Sequence, residues 1–339
     1  MALQNEGEQL TAAWRALDKR AEVSGWQLID VSATPSVAVM AGRKGPGNEE
    51  ALLIGITDLV LSSDMELPHG QGFLVVRTEL QGDRQGPSWL AVLRQPSGQL
   101  PLFTLMASDL VGLLRKAEPG SANRLYSLLI ARIKAWQRFM SRERPQVLTA
   151  EEEVGLVGEL VVLRDLMSAG VPEDDAIEAW AGPDDGLHDF IIGTGGIEAK
   201  TTVAPMGFIA RIGNLDQLDD SLYKPLYVGA VRLGQSDTGK SLPQIVDELL
   251  EVLADYSLSA KATSKLASVG YIEVMREHYK RKFLCKDLTY RLVDEGTPRL
   301  TRSSVPLQIL DARYSLDLDS LAVVASKFVD ISASMGMHK

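Results

Sequence analysis

The chain opens on a helical pattern. Over residues 1–20, Leu10, Trp14 and Leu17 recur at three- and four-residue spacing and predict an amphipathic helix. The pattern then changes. Short apolar or alternating runs at 26–31, 36–40, 51–56, 72–77 and 89–93 are separated by turn residues such as Gly45-Pro46-Gly47 and the segment 82–86. They predict antiparallel β structure. Helical periodicity returns over 103–140, in two segments split by Pro119-Gly120-Ser121.

Pro145 closes that stretch and Thr149 begins another. Thr149 and Glu152 have the spacing of a capping box, which predicts a helix running to about Ser168. Beyond it the pattern predicts strands at 177–180, 188–192 and 197–203, a short helix at 214–222, a buried strand at 226–233 and a helix at 242–256. Strand-like runs near 290–293 and 307–310 and a last helix over 318–329 complete the chain. The expected division is a β-rich domain at 1–118, a helical connector at 119–148, an α/β core at 149–256 and an α/β extension at 257–339.

Within the core, two features carry chemistry. The glycines of Gly193-Thr194-Gly195-Gly196 predict a tight reversal, making 188–203 a β-hairpin. If all four residues form the turn, Ile192 pairs with Ile197 and Asp189 falls opposite Lys200. Glu198 and Lys200, two apart, share a face with Asp189. Two carboxylates beside a lysine suit a divalent cation and an activated water. On the preceding helix, Glu159 shares an apolar stripe with Leu156, Val162, Leu163 and Leu166. A carboxylate there is costly to bury without a partner, and a metal ion is one such partner. Gly155 and Gly158 weaken that helix, and close approach to a neighbouring backbone would explain both.

Glu159, Asp189 and Glu198-Ala199-Lys200, in that order, resemble the PD-(D/E)XK nuclease superfamily. The stretch 155–160, Trp180 with Gly182, His188-Asp189-Phe190, Glu198-Ala199-Lys200-Thr201-Thr202 and Gln217-Leu218 resemble one uncharacterised bacterial branch, the PD-(D/E)XK motif proteins of phage-defence and restriction gene clusters. The resemblance implies a restriction-endonuclease-like core and Mg²⁺-dependent hydrolysis of DNA, with Mn²⁺ able to substitute. It implies that Asp189 and Glu198 ligate the metal, that Glu159 ligates it or a second ion, and that Lys200 orients or deprotonates the attacking water. Gln217 joins the site or touches DNA. His188 stands where the motif has proline, and Pro183-Asp184 lies in a Gly/Pro-rich loop as a decoy. Partner proteins, ATPase- or helicase-like, are implied too, and a catalytically silent DNA-binding or scaffold subunit is the alternative. In the blander reading of the residues, Glu198 and Lys200 are a solvated strand face and Glu159 pairs with an arginine.

Composition narrows this picture. With 339 residues, 45% of them hydrophobic, the chain can bury more than one core. A single cysteine, Cys285, excludes an internal disulfide and a cysteine-rich zinc site, and His69, His188, His278 and His338 lack ligand spacing. With no leader pattern and no apolar run near the ~20 residues of a membrane span, a cytoplasmic protein is expected. A net charge of −10 argues against unaided grip on DNA. Positive charge gathers at Arg132, Lys134, Arg138, Arg142 and Arg144, and again at Lys261, Lys265, Arg276, Lys280, Arg281, Lys282, Lys286 and Arg291. These clusters either line a DNA groove or are solvated faces. Tyr271, His278, Tyr279 and Phe283 could stack on bases there, although core packing is their commoner use.

One rival motif remains. The segment 234–241 satisfies G-x-x-x-x-G-K-[ST], a phosphate-binding loop, between a predicted strand and a predicted helix. Pro243 shifts the helix start to about Ser241. The roughly 100 residues that follow are too few for a sheet built of βαβ units of about 30 residues. The expectation is a polar surface loop.

Overall fold

The computed structural model describes residues 2–18, 25–59, 67–80, 88–116, 121–141, 146–181, 188–253 and 255–337. Gly82, Gly86, Pro119, Gly120, Arg142, Arg144, Pro145, Gly182, Pro183 and Asp184, all singled out above, lie outside the described residues. The fold is mixed α/β and divides into two compact units, Met1–Gln146 and Val147–Lys339.

In the first unit, helix α1 (Ala2–Asp18) buries Leu10, Trp14 and Leu17. Strands β1 (Gly25–Ala33), β2 (Val37–Gly45), β3 (Glu49–Ile56), β4 (His69–Gly70), β5 (Phe73–Thr78) and β6 (Ser88–Arg94) form one antiparallel sheet in the order β1-β2-β3-β6-β5-β4. Helices α2 (Leu100–Lys116) and α3 (Ala122–Ser141) follow. The predicted strands of this region are all present.

The second unit carries the candidate chemistry. Helix α4 (Ala150–Ser168) starts at the capping box: Glu152 Oε2 accepts from Thr149 N at 2.8 Å and Thr149 Oγ1 accepts from Glu152 N. Then come α5 (Glu173–Ala179), β7 (Phe190–Ile192), β8 (Gly195–Thr202), β9 (Ile209–Ile212), β10 (Leu226–Ser241), α6 (Leu242–Val252), α7 (Tyr256–Val269), β11 (Lys282–Val293) and β12 (Tyr314–Asp317). A mixed sheet runs β11-β10-β8-β7, with β8 and β10 parallel, and β9 pairs with β12 in a small second sheet. This is the α/β arrangement expected of a restriction-endonuclease-like core.

Two packing features position the site. Helix α4 lies on the face of β8 that carries Thr201. A Cβ on Gly158 would come within 1.8 Å of Thr201 Oγ1, so only glycine allows this approach. Gly155 has no such reason, because a Cβ there meets nothing within 4 Å. On the opposite face, Val228 and Ala230 of β10 join Phe208, Ala210, Ile212, Leu316 and Leu318 of the small sheet in one apolar cluster. Glu198 and Lys200 neighbour Val228 and Ala230 in register and so share that face. The chain end then returns to α4, where Asp165 Oδ2 accepts from Tyr290 Oη at 2.8 Å and from the backbone N–H of Phe328 at 2.7 Å.

Several expected elements differ. The strand at 177–180 is the end of α5, whose first turn is acidic at Glu173, Asp174 and Asp175, which favours a helix start. Only Trp180 makes a bridge, to Phe190. The helix at 214–222 is a series of turns, because Asn214 Oδ1 takes the N–H groups of Asp216 and Gln217. The helix over 242–256 stops at Val252, and Asp255 caps a separate α7. The apolar run 307–310 is turn and coil, with Leu307 89% exposed, and the strand is β12 instead. The last helix is replaced by single 3-10 turns at Leu318–Ser320 and Phe328–Asp330. Between them Val324 N donates to Tyr290 O, so this β-branched stretch adds to the edge of β11.

The phosphate-loop string is no surface loop. Residues 234–241 are the distal arm of β10, paired with β11 around a bulge between Gln235 and Lys240. Lys240 Nζ is held by Glu248 Oε1 at 2.5 Å, and a Cβ on Gly239 would strike the backbone of Phe283. Ser241 is the N-cap of α6, with Pro243 in the first turn.

Candidate active site

The hairpin turns at two residues rather than four. Ile192 pairs with Gly195 and Phe190 with Ile197, leaving Gly193 and Thr194 as the loop. Gly193 has φ 58°, the left-handed conformation that glycine supplies at such a position. The register therefore differs by two residues from the one expected, and Asp189 falls beside Glu198 and Ala199 rather than opposite Lys200. A shift of two leaves every side chain on its predicted face, whereas a shift of one would have reversed them.

Strand β7 pairs with β8 only as far as Ile197. Beyond that point no described strand pairs with this edge of β8, and Asp189 closes it: its Oδ2 accepts the N–H of Ala199 at 2.7 Å. Glu198 is buried, with Oε1 at 2.8 Å from Lys200 Nζ. Lys200 Nζ also donates to Gln217 Oε1 at 3.1 Å. The turns that replace the expected helix fix that glutamine, whose Oε1 also accepts from Gly213 N. Glu159, half-buried on α4, accepts from the indole N–H of Trp180 at 2.8 Å. Trp180 is fully buried as core packing predicts, yet it also serves this carboxylate. The signal that points to this role is a Trp whose N–H needs a partner wherever the ring is buried.

The electrostatics are those of excess negative charge. Glu159 is raised to about 7, by burial first and by the Glu198 charge after it, against the Trp180 hydrogen bond and the Lys200 ammonium, which lower it. Burial also lifts Asp189 well above the carboxylate range, and the charges of Glu198 and Glu159 add to the rise. For Lys200 burial works against the charge, but Glu198, Asp189 and Glu159 outweigh it and hold the ammonium protonated. Three carboxylates thus face one cation.

The donor set fits a hard divalent ion in charge and in ligand type. Among the described residues no group of three or more His, Cys, Asp or Glu side chains converges closely enough to cage a metal. A divalent ion held here would rest on one or two carboxylates and complete its shell with water or phosphate oxygens.

The other sequence candidates resolve as follows. Tyr271, Tyr279 and Phe283 are core residues, each 3% exposed, and cannot stack on bases. The second basic cluster is largely spent within the chain. Lys261 pairs with Glu178, Lys265 donates to Trp180 O, and Arg276 pairs with Asp247 at 2.7 Å. Arg281 pairs with Glu153 at 2.6 Å, Lys282 donates to Asp237 O, and buried Arg291 donates to Leu318 O. In the first cluster Arg132 lies 3.7 Å from Asp109. No helix among the described residues is long and apolar enough to cross a membrane.

The family model described as "Putative PD-(D/E)XK family member, (DUF4420)" matches residues 10–319. The chain belongs to that family. No curated protein matches it, and no solved structure does.

Proposed function

We propose that this nuclease-like protein is a metal-dependent DNA endonuclease, with its chemistry in the second unit. The observation that carries the reading is the set of three carboxylates, Glu159, Asp189 and Glu198, around the one ammonium of Lys200. Left to themselves these groups repel one another, and that repulsion adds to the burial that raises Asp189 and Glu159. Asp189 and Glu198 would hold Mg²⁺ or Mn²⁺, with Glu159 on the same ion or a second one. When bound, the ion would polarise the scissile phosphate and lower the pKa of a water.

The protein groups have separate tasks. Lys200 has three N–H donors, of which Glu198 and Gln217 take two. Among the described residues the third has no partner, and it would orient the attacking water or offset charge growing on the phosphate. Gln217 keeps the ammonium aimed, and Trp180 holds Oε2 of Glu159.

The setting we favour is a restriction or anti-phage system in which partner proteins, ATPase- or helicase-like, supply DNA affinity. What supports it is the acidic balance of the chain and the internal pairing of its second basic cluster. The test is plasmid nicking by the purified chain with Mg²⁺, with Mn²⁺ and with EDTA, beside Asp189→Ala. Nicking that needs the metal and is lost in the variant is expected. A folded chain that binds DNA without nicking it under any metal would point instead to a silent scaffold subunit.

A further inference from the structure

Among the described residues of the second unit, one buried polar side chain makes no hydrogen bond. His188 is enclosed, its side chain 0% exposed, and neither ring nitrogen makes a hydrogen bond. Burying an imidazole without hydrogen-bond partners is costly, so native proteins keep such groups rarely. The site is built around it. A Cβ on Gly196 would come within 2.8 Å of His188 Cδ2, so glycine makes room for the ring, and Tyr223 meets it edge-on with ring centroids 6.0 Å apart. A ring so enclosed cannot reach substrate.

What it faces is Glu198. Nδ1 lies 3.9 Å from Glu198 Oε2, beyond a hydrogen bond but too close for a water to sit between. The other oxygen, Oε1, belongs to Lys200. Closing the gap by about 1 Å would satisfy His188 Nδ1 and give both oxygens of Glu198 a fixed donor. Ligating carboxylates are commonly held in this way, and loss of such a donor weakens metal binding.

We propose that His188 is a positioning residue for Glu198, donating Nδ1–H to Oε2 while Lys200 holds Oε1, so that the carboxylate presents one fixed rotamer to a divalent cation. This rests on the metal-dependent reading above. The aspartate motif then has a histidine before it because this site uses that position for a second donor to its glutamate.

Two measurements test it. The first uses the metal-free chain: the long-range ¹H–¹⁵N spectrum of the His188 ring at pH 8 should show the proton on Nδ1. A ring carrying its proton on Nε2 alone overturns the proposal. The second is Mn²⁺ titration by calorimetry of the unaltered chain, His188→Asn and His188→Leu. His188→Leu should weaken Mn²⁺ binding by roughly 10–100-fold, and His188→Asn, which keeps a donor near Nδ1, should recover most of the loss. Equal affinity in all three proteins, or equal loss in both variants, overturns it. If His188→Leu does not fold, the tautomer and His188→Asn decide. Absence of Mn²⁺ binding by the unaltered chain would count against the metal-dependent reading instead, and the tautomer would then judge this inference alone.

Discussion

The two ends of strand β10 make opposite uses of charge. Beside the end that pairs with β8, three carboxylates share one lysine, a histidine makes no hydrogen bond among the described residues, and Asp189 and Glu159 are pushed upward. At the distal arm the cations are answered: Lys240 and Arg164 reach Glu248, and Lys282 donates to Asp237 O. The distal end has a cavity of about 780 Å³ lined by Val157, Leu160, Ile245, Leu249 and Phe283. It also has the more familiar sequence string. Neither volume nor string marks chemistry there, because Lys240 and Lys282 already have partners within the chain. Unbalanced buried charge at the other end is the more telling sign.

The sharpest way to break this contrast is Lys200→Ala. If the site end carries the chemistry, plasmid nicking should fall by roughly 10²–10³-fold or more while the circular dichroism spectrum stays unchanged. Nicking at the original rate would remove Lys200 from the site. A second large effect separates the two glycines of α4. Gly158→Ala must displace Thr201 and should cost about 1–3 kcal/mol in chemical denaturation. Gly155→Ala meets open space and should stabilise the helix by up to about 1 kcal/mol. Equal effects at both positions would show that α4 does not sit on β8 as described.

A smaller effect concerns pH. Burial raises Glu159 from 4.5 to about 7, so the folded site binds its proton more firmly than the unfolded chain does. The metal-free protein should therefore be fully stable, as far as this group is concerned, below about pH 4.5. It should lose that contribution as pH rises through about 7. Asp189 acts in the same direction. Glu159→Gln should raise the melting temperature at pH 8 and change it little at pH 5, by roughly 2–4 °C for each kcal/mol relieved. A variant less stable than the parent at pH 8 would contradict the excess of negative charge. The smallest effect belongs to the distal arm. Lys240→Ala should leave nicking unchanged and alter stability by no more than about 1 kcal/mol, since its pair with Glu248 is exposed. ATP titrated against the unaltered protein should give no heat.

Much of the fold was legible because its signals are local. The Thr149–Glu152 capping box, the alternation in β1 to β6 and the position of Glu159 all follow from neighbours within a few residues. What was not legible depends on distant partners. The hairpin register turned on Gly195 and Gly196, which look like turn residues but serve as strand residues where Pro225 and His188 approach. Trp180 is core by composition, and its bond to Glu159 crosses from one helix to another. The run 318–329 has helical spacing, yet its valines complete the edge of β11. The phosphate-loop string failed for a related reason: such a loop must lie free between a strand and a helix, whereas Gly234, Gln235, Lys240 and Ser241 are paired with β11.

The bonds to Asp165 bear on when, during synthesis, the site can exist. Glu159 rides on α4, and α4 is tied to the sheet through Tyr290 and Phe328, which follow it by 125 and 163 residues. Contacts of such long sequence separation close late. While the carboxylates emerge from the ribosome, the helix that carries one of them still lacks its anchor. A growing chain therefore holds Glu159, Asp189 and Glu198 well before it holds their geometry. The anchor of α4 is in place only once residues as far as Phe328 have been made.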